Sequence, residues 1–324
     1  MEMKKLLRSA LIVAFLIPAA ASAECMSSYY RAKDPACLDE IFENLRSMSA
    51  EQIRQKQSFA GFLAGVFSSS PELRDHVLKS ESSFALNELE IQALILAGEK
   101  EMAKNFAAST GNTALYDKLA TTPPLPALRP STSPGDNDLL IGGYMASGDV
   151  RLIRNILENF STADDSMAAD AIRFGLLSSK FGAALAPAGR EKRIAAALCD
   201  KYACKTDPAK LYRVVTLGTA YWALQSIGQQ DERVKSAFTE FFDKTPRLKA
   251  ILAQEKLGFA NYLVAASLEA GLKQGASPYQ QASLGTIEEA LSKYESLGAA
   301  SSVVEAMEKL ASRKADSPFQ APAK

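Results

Sequence analysis

The chain has 324 residues, 37 of them basic and 37 acidic, and 47% of it is hydrophobic. That length buries one large core or two smaller ones. Balanced charge with no block of one sign excludes the basic stripe of a nucleic-acid binder and the polybasic patch of a membrane-surface protein.

The N-terminus carries Lys4, Lys5 and Arg8, then an apolar run over 10–20, then Ala21-Ser22-Ala23. A basic, an apolar and a small-x-small region in this order predict a signal peptide, residues 1–23, cut before Glu24. The apolar run is shorter than the ~20 residues that a membrane span needs. Cys25 follows the large, charged Glu24 instead of the small residue that a lipid-modified cysteine requires. The mature chain is therefore expected to be soluble, without membrane insertion, and periplasmic or secreted. Cleavage removes three basic residues and one acidic residue, Glu2, which leaves a small negative balance.

Export brings the four cysteines into oxidising conditions, where disulfides persist. Four cysteines allow three connectivities. The local pairs, Cys25 with Cys37 and Cys199 with Cys204, are the simplest. Zinc would need four Cys or His ligands in close groups, and the single histidine, His76, lies far off in sequence. A thioredoxin-like pair has two residues between its cysteines, and CDKYAC has four. Residues five apart on a helix point ~140° away from each other, so Cys199 and Cys204 pair only where a helix ends between them.

The elements that follow are helical in pattern. Leu38, Ile41, Phe42, Leu45 and Met48 recur at intervals of three and four. Helical hairpins are predicted over 60–80, 91–109, 138–160 and 220–242, each an apolar helix, a break of small residues and a second amphipathic helix. Pro71 suits the opening turn of one second helix. Gly148 suits a left-handed helix stop before Asp149, and Gly98 and Gly228 hold equivalent places. Between the second and third hairpins, residues 119–137 include Pro123, Pro124, Pro126, Pro130 and Pro134. No helix crosses such a stretch, which reads as an extended linker or a strap along the surface. Asp136, Asn137 and Asp138 read as the cap of the helix that holds Leu139 and Leu140. Ile287, Leu291, Tyr294 and Leu297 predict a further helix, and 301–311 closes the set before a tail, 313–324, expected to be disordered.

Tyr144-Met145-Ala146-Ser147-Gly148, with Leu140 and Leu157, resembles the Tyr-x-x-x-Gly turn of tetratricopeptide-type repeats. Ile153 stands where that pattern carries a small residue. The same stretch looks like secreted bacterial helical proteins of no assigned activity. The resemblance to tetratricopeptide-type repeats implies a concave surface for peptides or partner proteins.

Catalytic templates find few residues here. His76 reads as a surface histidine on an amphipathic helix, and no Gly-x-Ser-x-Gly elbow supplies a nucleophile. IGGYMASG lacks the lysine and spacing of a phosphate loop. No cofactor or metal site is read. Two carboxylate pairs keep acid/base chemistry open: Asp136 with Asp138, and Glu88 with Glu90, the latter read as a solvated helix face. Candidate partner-binding residues are Tyr144, Arg151, Arg154, Tyr221 and Trp222. Tyr221 and Trp222 could anchor a ligand but more often mark a buried helix, and Arg151, Arg154 and Arg173 could gather on one face for an acidic partner, although separate surface positions are the default. Gly142 and Gly143 point to close helix packing. The whole reads as an all-α protein of stacked antiparallel helical hairpins, α-solenoid-like, with lobes 24–118 and 138–312 joined by the proline-rich linker. The expected role is an envelope scaffold for a protein or peptide. The alternative is an enzyme using paired carboxylates on the cell wall or a small molecule.

Overall fold

Among the described residues, caps and glycine stops divide this alanine-rich sequence into fifteen α-helices with defined bounds, with no strand. The computed structural model describes residues 20–79, 83–128, 131–179 and 190–273, together with residues 287, 288, 291, 294 and 295. Most of the expected signal peptide, Leu297, the helix expected over 301–311 and the tail 313–324 lie outside them. The all-α class expected from the sequence is the one the chain adopts. Two compact units are present, Met1–Thr162 with Leu224–Phe241, and Ala163–Ala223 with Phe242–Lys324.

In the first unit, α1 (Ala20–Ala32) turns into α2 (Pro35–Arg46) through Lys33, which adopts a positive φ of 49°. Asp34 caps α2 by accepting the Ala36 N–H. Cys25 and Cys37 are joined across this turn, their Cα atoms 5.8 Å apart. Leu38, Ile41, Phe42 and Leu45 of α2 are buried, as their spacing predicts. Ser49 and Gln52 form a capping box on the short α3 (Ala50–Arg54).

Then come the hairpins α4 (Gln57–Ser69) with α5 (Pro71–Lys79), and α6 (Phe84–Ala97) with α7 (Lys100–Ser109). After α8 (Thr113–Leu119) and the proline-rich stretch comes a third, α9 (Pro134–Ser147) with α10 (Val150–Glu158). Every residue of α4 from 59 to 67 is buried, between α6 on one side and α9 on the other. Glycines permit the contact with α9. A side chain at Gly61 would overlap the Leu139 backbone, and one at Gly142 would overlap the Ser58 carbonyl. A Cβ at Gly65 would lie 2.8 Å from the Gly143 oxygen. The first hairpin thus sits in the middle, whereas a regular solenoid stacks its units in chain order.

This packing also changes the reading of residues 119–137. They lie wholly within the first unit and do not join two lobes. The stretch is a strap: Leu125, which opens a short 3-10 turn, is buried, the Pro126 carbonyl accepts from Asn155, and the Ser131 N–H donates to Asn159. Helix α9 begins earlier than expected, with Pro134 in its first turn and Ser133 as its cap. Asp136 completes a capping box with Ser133, so it lies inside the helix and not before it.

The second unit holds α11 (Asp165–Leu177), α12 (Arg190–Lys201), most of α13 (Pro208–Gly228), the end of α14 (Glu232–Lys244), and α15 (Pro246–Lys273). Helix α12 stops at Lys201 and Ala203 takes a positive φ of 48°. The Cys204 N–H then donates to the Cys199 carbonyl, and the two cysteines are joined with Cα atoms 4.8 Å apart. The helix ends between them, as pairing requires. Gly98 and Gly148 are left-handed stops, whereas Gly228 remains helical and its loop continues through Gln229 and Gln230. Ile287, Leu291 and Tyr294 share one buried face with Leu177, Tyr262, Ala265 and Ala266.

Candidate functional site

Asp231 opens α14 and is only 4% exposed. Its Oδ1 accepts the Arg233 N–H at 3.0 Å, which caps the helix. Its Oδ2 accepts the Tyr144 hydroxyl at 2.8 Å and the Tyr30 hydroxyl at 2.9 Å, with the Arg31 guanidinium 3.5 Å away. Burial works against this carboxylate, but the hydroxyls of Tyr144 and Tyr30, the Arg233 N–H and the Arg31 charge together hold its pKa below the usual range. Burial and the bond to Asp231 push the Tyr144 hydroxyl well above its ordinary value. The Arg233 guanidinium sits 5.5 Å from the centre of the Tyr30 ring. Gly148 permits this arrangement twice over: its φ is 69°, and a Cβ there would lie 2.7 Å from the Tyr30 ring.

Above this cluster α10 and α14 form the walls of an open cleft of about 370 Å³. Val150 and Arg154 line it from α10, and Glu232, Arg233, Ser236, Ala237 and Glu240 from α14. Arg154 and Glu240 meet across it at 3.2 Å. The cleft therefore has apolar and small residues between two positive and two negative side chains.

The candidates named from the sequence separate. Arg154 lines the cleft, and Tyr144 is fully buried beneath it on Asp231. Arg151 is exposed and gripped by Asp149, at 2.6 Å for the closest pair, and does not line the cleft. Tyr221 and Trp222 belong to the other unit, where Tyr221 is fully buried and the backbone at Trp222 lies against Gly175 of α11. Tyr221 is a packing residue there, and Trp222 is half-buried. Tyr30, Asp231, Arg233 and Glu240 were not singled out. Asp231 before a helical run is a readable cap signal, but its tyrosine partners lie 87 and 201 residues away in sequence.

Arg173 is not a surface arginine. It is 7% exposed and grips Glu255 through two bonds of 2.8 and 2.7 Å. The same network holds Asp170, which accepts from Lys201 at 2.5 Å and from the Tyr202 hydroxyl. Arg173 also lies 5.5 Å from the Tyr294 ring centre. Two cations match two anions, which makes this a structural network.

The members of each carboxylate pair have different surroundings. Asp136 accepts from Thr132 and Ser133 in the cap. Burial pushes the Asp138 carboxyl up to about 7, although the residue keeps part of its surface in solvent. Glu88 pairs with Arg54 at 2.7 Å. Glu90, read from the sequence as solvated, is 1% exposed because it faces inward on α6. His76 is exposed on α5, as its helix pattern predicts. No cluster of metal-binding side chains occurs among the described residues, and no helix among them is long and apolar enough to cross a membrane. Comparison of the chain with known family models, with curated proteins and with solved structures finds no match.

Proposed function

We propose that the protein is an exported, disulfide-pinned helical scaffold that binds a peptide or protein partner in the cleft between α10 and α14. One observation carries the reading. Asp231 opens α14, one wall of the cleft, and its bonds to the Tyr144 and Tyr30 hydroxyls fix the start of the helix. A rigid wall with exposed charges offers a binding surface whose ordering entropy is already spent. The two local disulfides accord with a periplasmic or secreted location. The likeness of 138–160 to tetratricopeptide-type hairpins points the same way, since such hairpins present surfaces to polypeptides.

Site-specific photo-crosslinking in cells tests this. A photoreactive residue at Ser236 is expected to give one discrete adduct in the cell envelope. The same residue at exposed Lys104 of α7 serves as the control and gives none. Ala237→Trp fills the cleft and abolishes the Ser236 adduct. An adduct that survives Ala237→Trp, or no adduct at Ser236, refutes the cleft as the binding site.

A further inference from the structure

Helix α15 carries a second surface, independent of the cleft. Its buried face repeats by heptads, through Leu248, Glu255, Tyr262 and Glu269, and packs against α11. Surface helices cover the opposite face with polar groups. Helix α14 does so with Glu232, Arg233, Lys235, Ser236 and Thr239, all exposed. On α15 the exposed residues Ala250, Ala253, Leu257, Ala260, Val264 and Ser267 form one stripe, flanked by exposed Lys249, Gln254 and Lys256. Leu257 keeps 65% of its surface in solvent and Val264 48%. Alternating steps of three and four are the seam of a helix pair. One row, Ala253, Ala260 and Ser267, is small throughout and admits a second helix closely. The other, Ala250, Leu257 and Val264, supplies the apolar knobs.

The edges of this seam select the occupant. Lys249 and Lys256 follow one edge, and Gln254 and Asn261 the other. Between residues 246 and 267 the single carboxylate is Glu255, which is buried on Arg173. Lys249 already pairs with Asp243, and Lys256 forms no ion pair among the described residues. Two antiparallel copies of α15 would set lysine edge against lysine edge, and two parallel copies would set lysines against uncharged amides. A partner helix with acidic edges meets the lysines with opposite charge. We propose that the outer face of α15 docks an amphipathic helix of another protein, with an apolar heptad stripe edged by Glu or Asp.

Fluorescence anisotropy of chain 24–324 with two labelled three-heptad peptides tests this. Both peptides carry one Leu/Ala seam, and their edges are Glu in one and Lys in the other. The Glu-edged peptide is expected to bind and the Lys-edged one not. Leu257→Asp weakens binding by about tenfold or more, the loss of one buried leucine. Lys256→Glu reverses the preference between the peptides. Both positions are exposed, so circular dichroism of the variants stays that of the parent. Equal binding of the two peptides, or binding of neither, overturns the proposal. So does a dimer in sedimentation that Leu257→Asp dissociates, which assigns the seam to a second copy of the chain.

Discussion

Asp231 accepts two tyrosine hydroxyls and caps a helix with one carboxylate. Asp231→Ala removes the cap and leaves the fully buried Tyr144 hydroxyl without its acceptor, at a cost of about 2–4 kcal/mol. Urea unfolding measures it. Because the folded pKa of Asp231 is lowered, its contribution is present above pH ~4, the unfolded value, and is lost as pH falls through the folded one. Asp138 titrates with the opposite sign. Its folded pKa is raised to about 7, so the native state resists losing that proton. Its contribution is intact below pH ~4 and is lost as pH rises to about 7. Asp138→Asn is therefore expected to raise the melting temperature at pH 8 by about 4 °C or more, and by less at pH 4. An equal change at both pH values excludes the titration. Neither behaviour was legible in the sequence, where Asp136 and Asp138 look alike. Their caps and packing, set by where α9 begins, separate them.

Among elements, the contact of α4 with α9 depends on glycine at three positions, Gly61, Gly65 and Gly142, whereas a side chain at Gly143 would meet Leu125 and Leu152. Gly142→Ala places a methyl against the Ser58 carbonyl, and the two backbones must separate. The expected cost is about 3 kcal/mol in chemical denaturation, at the upper end for overpacking. Gly111→Ala makes the contrast, because φ is 75° there but nothing lies within 4 Å. Only the left-handed backbone penalty of about 1–2 kcal/mol remains. Equal costs at the two sites would refute the close-packing role. Gly142 and Gly143 pointed to a close approach from the sequence, because glycine inside a helix has to be repaid by packing. The partner, α4, did not show itself, since nothing in residues 57–69 marks which of its two apolar faces meets α9.

On the scale of the molecule, Cys199–Cys204 does more than close a short loop. The turn it closes presents Lys201 and Tyr202 to buried Asp170. Replacing both cysteines by serine costs about 2 kcal/mol through loop closure alone. Release of Asp170 adds about 1–3 kcal/mol more. A double-mutant cycle with Asp170→Asn separates these: the disulfide's contribution falls to the loop value if Asp170 is coupled to the turn. Strict additivity shows no coupling. The proline-rich stretch teaches a related lesson. Its five prolines correctly exclude a helix, yet its role is a strap within one unit. Local chemistry decides that a segment is extended, but burial of Leu125 and bonds to Asn155 and Asn159 decide what it crosses.

Composition, period and caps by themselves determined an all-helical chain, the first three hairpins and a chain break at the prolines, and they made two local cysteine pairs the simplest of three connectivities. Those properties follow from forces acting over a few residues: backbone sterics, hydrogen bonds to the fourth residue and amphipathic spacing. Tertiary structure alone decided the order of packing, the boundaries of the two units, the burial of Glu90 and Arg173, and the tyrosine–Asp231 cluster beneath the cleft. Those arise where groups distant in the chain meet and desolvate one another, and no local pattern encodes which distant group arrives.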